Sequence, residues 1–109
     1  MNDTNRVIYR EASGENQPIK YHVIGMNDWG FFDSLVEFFQ KNYGATVEVK
    51  SDGINTRCWQ LRARGEYFML EHNEDLGNWF YSCGSEGDSA LMQAIADDLE
   101  GRLKDIPCQ

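Results

Sequence analysis

Basic residues are scarce in this chain. Ten lysines and arginines stand against 18 aspartates and glutamates, a formal net charge of -8. Such a field repels nucleic acid and anionic membranes and favours basic partners, although acidity also serves solubility alone. Histidine is scarcer still, with only His22 and His72. There is no HExxH and no cysteine cluster, so zinc-ligand spacing is missing. The three cysteines, Cys58, Cys83 and Cys108, lack CxxC spacing and the density of a disulfide framework. A reduced, cytosolic setting is the simplest one. Cys58 and Cys83 are expected as small buried thiols that could face each other across a sheet. No apolar run approaches the length of a membrane span. The polar opening MNDTNR is unlike a secretory signal peptide. A glycine-rich phosphate loop is also missing: GSEGDS has two glycines, but Glu86 and Asp88 would oppose a bound phosphate. Repeats and low-complexity segments are absent.

What is present is enough for one small domain over residues 1–109, with 41% hydrophobic residues for its core. Residues 1–5 are expected to be frayed. Arg6–Arg10 is a short strand candidate, and EASGENQP (11–18) has turn composition. Ile19–Ile24 alternates, with Ile19, Tyr21 and Val23 on one face, and Gly25 ends it. In MNDWGFFDSLVEFFQKNYG, Asn27 or Asp28 can cap a helix. Phe31, Phe32, Leu35, Val36, Phe38, Phe39 and Tyr43 fall in one arc of about 160°, and Gly44 suits the C′ position. Thr46–Lys50 alternates as a strand, and Ser51-Asp52-Gly53 reads as a turn. Arg57–Ala63 follows, with Trp59 and Leu61 opposed to Cys58, Gln60 and Arg62. Arg64-Gly65 reverses the chain. A second helix follows CGSEGDS, with Ser85 and Asp88 at capping-box spacing. Its apolar stripe is Leu91, Ala94, Ile95, Leu99 and Leu103. Asp98 falls inside the stripe, Asp97 and Glu100 lie outside it, and Pro107 stops the helix. Short connections favour antiparallel neighbours. The expected class is therefore α+β in two layers: an antiparallel sheet of about five strands with two helices packed on one face.

The stretch YFMLEHNEDLGNWFYSC (67–83) is the most unusual part of the chain. Glu66–His72 and Asn78–Cys83 read as strands joined by a loop at Asn73–Gly77. Alternate strand residues point to opposite faces. Phe68, Leu70 and Phe80 suit a helix-facing core, which turns Tyr67, Met69, Trp79 and Tyr81 away from it; Trp59 fits either set. If both helices cover one face, the other stays open. Tyr67, Trp79 and Tyr81 then become candidate anchors for a partner. Glu71, Glu74 and Asp75 become acids that would meet its lysines or arginines. A homodimer is the competing occupant of that face. The plain alternative is a solvated turn, with the aromatics packed under a segment such as Arg6–Arg10.

Constellations for catalysis are weak. Glu71 and His72 are adjacent in a strand, so they face opposite sides. Cys83 would gain His72 as a base only through a favourable register. Ser82, Cys83 and Ser85 lack a GxSxG elbow. Glu71, Glu74 and Asp75 lack the ligand positions of a calcium loop. Arg57, Arg62 and Arg64 lie among aromatics in an acidic field, so they are expected to pair with acids or guard a sheet edge, not to bind nucleic acid. The expectation is a non-enzymatic chain without metal, cofactor or membrane contact.

The string from DWGFFDSLVEFFQKNYG through CWQLRARGEYFMLEHNEDLGNWFYSCG to ALMQAIADDLEGRL resembles the small acidic immunity proteins of contact-dependent growth inhibition systems. The likeness covers about residues 20–105 and rests on size, element order and acidity; no diagnostic motif carries it. The resemblance implies a cytoplasmic, stoichiometric inhibitor of a cognate toxin C-terminal domain, often a nuclease with a basic cleft. Because partners differ between such pairs, it assigns no residue a role here. A regulatory or adaptor domain for another basic protein is the alternative.

Overall fold

The computed structural model describes residues 7–12, 17–25, 28–83 and 89–104. Among them, six strands and two helices form in the order β1 (Ile8–Ala12), β2 (Ile19–Val23), α1 (Trp29–Tyr43), β3 (Thr46–Asp52), β4 (Thr56–Ala63), β5 (Glu66–Asn73), β6 (Gly77–Ser82) and α2 (Ala90–Lys104). The strands make one antiparallel sheet in the spatial order β1-β2-β6-β5-β4-β3. Both helices lie on one face of it. The sheet is one strand wider than the expected five, because both N-terminal segments pair. β1 starts later than its sequence pattern suggests and takes in Glu11 and Ala12, which pair with Lys20 and Ile19.

Local chemistry explains the element ends. Asp28 is extended and its carboxylate accepts from the Phe31 N–H at 3.1 Å, an N-cap. Gly44 closes α1 at φ 65°, the left-handed geometry a glycine adopts cheaply. Arg64 and Gly65 both have positive φ, 52° and 81°. That matches the two-residue hairpin turn whose twist fits the flanking strands. Ser51 and Asp52 belong to β3 instead of a turn, since Cys58 and Arg57 pair with them. The register of β3 shifts between Val47 and Val49. Such a bulge bends an edge strand and discourages pairing with another chain.

The core lies between the sheet and the helices. Phe32 and Phe39 of α1 meet Phe68 and Phe80 of the central strands, and all four are fully buried. Phe39 stands edge-on to Phe68 and Phe80, with centroids 5.1 and 5.7 Å away. Trp59 joins this face, edge-on to Phe32 at 5.1 Å. Its indole N–H donates to Asp52 at 2.7 Å. Arg57 seals the end of the layer. Its guanidinium lies 4.2 Å from the Trp29 ring and pairs with Asp33 at 2.8 Å. Thus Trp29 and Phe38 pack on neighbours, and Arg57 pairs with acids as its setting suggested.

α2 is rotated relative to the expected stripe. Met92, Ile95, Ala96 and Leu99 are buried, Leu91 and Leu103 are half-buried, and Ala94 is exposed. Ser89 caps the helix by accepting from the Met92 N–H at 3.0 Å; Ser85, Asp88 and Pro107 lie outside the described residues. Asp98 leaves the apolar stripe to accept from Tyr43 Oη at 2.8 Å and Arg102 Nε at 2.7 Å. The Glu100 carboxylate accepts from the backbone N–H groups of Val7 and Ile8, joining α2 to the sheet edge.

Candidate functional site: the open face of the sheet

Period two puts every second side chain on the face without helices, and strand register aligns them in rows. One row reads Tyr9, His22, Trp79, Glu71, Cys58 and Ser51 across all six strands. A second includes Tyr81, Met69, Gln60 and Val49, and a third pairs Tyr67 with Arg62. The structure thereby brings Tyr67, Glu71, Trp79 and Tyr81 to one surface. β1 extends this sheet at its edge and does not lie over these aromatics. Tyr67 and Tyr9 are exposed, and Tyr81 is half-buried. Trp79 is only 9% exposed. It sits on β6, which has a strand on each side, and its ring packs against His22 at 5.6 Å. Its indole N–H is buried without a hydrogen-bond partner.

Glu71 organises the middle of the face. Its Oε2 accepts from Tyr81 Oη at 2.5 Å and from Cys58 Sγ at 3.2 Å. Burial first, then the bond to Glu71, pushes the Cys58 thiol up to about 11 and the Tyr81 phenol well above its ordinary value. Both therefore stay protonated near neutrality and serve as neutral donors. Burial also raises Cys83, with the charges of Glu71 and Glu66 adding to it. Cys58 is half-buried and Cys83 exposed, so the expectation of two buried thiols fails for Cys83. The two are unbridged. Cys83 stands just beyond β6, where the sheet gives it little cover; Cys108 lies outside the described residues. Thr56, Arg57, Cys58, Glu71, His72, Asn73 and Trp79 line a shallow cavity of about 190 Å³.

The β5–β6 turn borders this surface. Asn73 Oδ1 accepts from the N–H groups of Asp75 and Leu76 at 2.7 and 3.1 Å, bracing the turn. Glu74 and Asp75 are exposed on it. The Glu74 N–H donates to the Asn55 carbonyl at 3.0 Å, which ties this turn to the β3–β4 turn. Ile54 and Leu76, one on each turn, are 94% and 67% exposed. Sequence reading missed both, because a single aliphatic in a polar turn interrupts no periodic pattern.

His72 points to the helix side, where Nδ1 lies 3.0 Å from Asn78 Oδ1. Cys83 pairs instead beside Tyr67, whose carbonyl accepts its N–H. The register thus separates Cys83 from His72, and Glu71 from His72, into different surroundings. Among the described residues, no group of three His, Cys, Asp or Glu side chains gathers as a metal site, and no helix is long and apolar enough to cross a membrane.

Comparison with protein-family models, with curated proteins and with solved structures finds no match to this chain.

Proposed function

We propose that this chain is an inhibitor of the immunity-protein kind, which binds and neutralises a basic toxin domain in the cytoplasm. The toxin class is a nuclease delivered by a contact-dependent growth inhibition system. The observation that carries the reading is the uncovered sheet face, where Tyr67, Tyr81 and Glu71 stand together beside a braced acidic turn. An aromatic surface of this kind supplies contact area. Glu74 and Asp75 supply charge that attracts a basic cleft, and a net charge of -8 favours fast encounter with it. Ile54 and Leu76 extend the same surface with two aliphatic contacts that the core does not use. Trp79 supports the face from beneath, so it is a positioning residue and not an accessible anchor.

The test begins with the DNA flanking the gene, read for a large secreted protein with a toxic C-terminal domain. That domain is then co-expressed with this chain and scored for survival and co-purification. Reversing Glu74 and Asp75 to Lys should slow association, with the larger effect at low salt. Leu76→Ala should mainly speed dissociation. Unchanged rates for all three substitutions, in folded protein, would move the interface off this surface. Capture of a non-toxic basic protein, without protection from any toxin domain, would favour an adaptor instead.

A further inference from the structure

Three connections of this chain meet at one end of the sheet. β2 ends there with Val23 opposite Asn78, β3 and β4 close with Asp52 opposite Arg57, and β5 and β6 close with Asn73 opposite Gly77. Ile24, Ile54 and Leu76 stand just beyond these last pairs, one on each connection, and all three are exposed. α1 starts at the same end, where the half-open Trp29 ring lies 5.2 Å from that of His72. Single exposed apolar residues are ordinary, but four of the seven large ones exposed among the described residues gather at this rim. Backbone bonds hold the turns that carry them. The Gly53 N–H donates to the Thr56 carbonyl at 2.8 Å, and the Glu74 N–H to that of Asn55 at 3.0 Å. The exposed acids Asp28, Asp33, Asp52, Glu74 and Asp75 stand among them. The basic groups described nearby are already engaged: Arg57 pairs with Asp33 at 2.8 Å, and Lys50 lies 4.6 Å over the Trp59 ring.

We infer that the partner is seated end-on at this rim: Ile54 and Leu76 enter an apolar recess in a basic protein, and the surrounding acids meet the lysines and arginines that border it. The inference rests on the reading of this chain as a binder of a basic protein, and it names the contact that holds that protein. Charge selects the occupant. A second copy would set Asp28, Glu74 and Asp75 against the same acids, and an anionic membrane would be repelled by them and by the net charge of -8. A basic protein turns both repulsions into attraction. The aliphatics add what charge alone lacks, since Ile54 and Leu76 leave water on binding without leaving the core. The turns are closed by their own backbone bonds, so little chain has to be ordered when the partner arrives. In this seating Tyr67, about 20 Å along β5 from Asn73, lies at the margin of the contact.

Two probes separate the outcomes. The peptide acetyl-Lys-Leu-Lys amide is titrated into the full chain and followed by amide NMR shifts, beside acetyl-Lys-Ser-Lys amide and acetyl-Glu-Leu-Glu amide. The first should shift Ile54, Asn55, Glu74 and Leu76 in a saturable way. The serine peptide should shift them less, and the acidic peptide not at all. The toxin domain found by co-expression is the second probe. Ile54→Ala and Leu76→Ala, both checked for folding by circular dichroism, should each weaken its binding by roughly tenfold or more, the loss of one buried aliphatic side chain. Gln40→Ala, exposed near the far end of α1, should leave it unchanged. Equal shifts from the serine peptide overturn the inference without needing any variant. So does a response centred on Met69 and Tyr81 instead of the turns, or no response up to the solubility limit. If the rim takes the leucine peptide but no toxin domain is captured, the functional reading fails alone. If a toxin domain binds both alanine variants as tightly as the native chain, or loses more to Tyr67→Ala, the end-on seating fails alone.

Discussion

The face that α2 turns to the core can be tested by two substitutions with opposite expectations. Apolar spacing alone puts Ala94 in the buried stripe, whereas the fold buries Met92 at 0% exposure and leaves Ala94 in solvent. At an exposed helix position Glu forms helix nearly as well as Ala, so Ala94→Glu should change stability by no more than about 0.5 kcal/mol. Buried in the core, the same change would strand a carboxylate and cost several kcal/mol. Met92→Ala removes most of a fully enclosed side chain and should cost about 2–5 kcal/mol, as should Ile95→Ala, also at 0% exposure. A domain of this size has about 5–15 kcal/mol in total. One kcal/mol moves its Tm by about 4–8 °C. Met92→Ala should therefore lower Tm by at least about 8 °C, while Ala94→Glu moves it by only a few degrees. Urea unfolding followed by tryptophan fluorescence gives the free energies, and calorimetry gives Tm. Ala94→Gln controls for adding charge to an acidic chain. If Ala94→Glu costs as much as Met92→Ala, the helix is rotated from the position described. If Met92→Ala and Ile95→Ala both leave the urea midpoint unchanged, α2 does not belong to the core.

The Tyr43–Asp98 contact should make stability depend on pH at both extremes. Asp98 is held below its ordinary 3.8, first by Arg102 and then by Tyr43; its contribution is present above that value and lost as pH falls through the depressed one, so Asp98→Asn should flatten the acid limb of a stability profile. Tyr43 is raised from 10.0 to about 12, chiefly by burial and then by Asp98. Its contribution is whole below 10.0 and lost as pH rises through about 12. Phenolate absorbance, with Tyr43→Phe as reference, should show that value falling only part of the way in Asp98→Asn. Thiol alkylation at neutral pH, mapped by peptide, should modify exposed Cys83 before Cys58, whose thiol is raised to about 11; equal rates would contradict the placement of Cys58 beside Glu71.

The local grammar of this chain was readable from its residues. Period two assigned Phe68 and Leu70 to one side of β5 and Tyr67, Met69 and Glu71 to the other, because strand geometry permits no other alternation. Asn27 or Asp28 and then Gly44 marked the ends of α1, and Arg64-Gly65 marked a reversal, because capping and positive φ are decided within a few residues. The same rule separated Glu71 from His72 before any coordinates. Alternation orders side chains within a strand, but it names no neighbour. The pairing of β2 with β6, which completes the row from Tyr9 to Ser51, joins segments separated by α1 and strands β3–β5. Only closure of the sheet over a shared core sets it. That pairing gives β6 a neighbour on each side and so buries Trp79, a residue that alternation alone placed in the open. The rotation of α2 was likewise decided by what it packs on, since its weak apolar stripe allowed more than one seating. Last, Glu71 acquires its character from three strands at once. Cys58 comes from β4 and Tyr81 from β6, and both donate to the carboxylate on β5, a meeting that tertiary packing creates and that no spacing along the chain encodes.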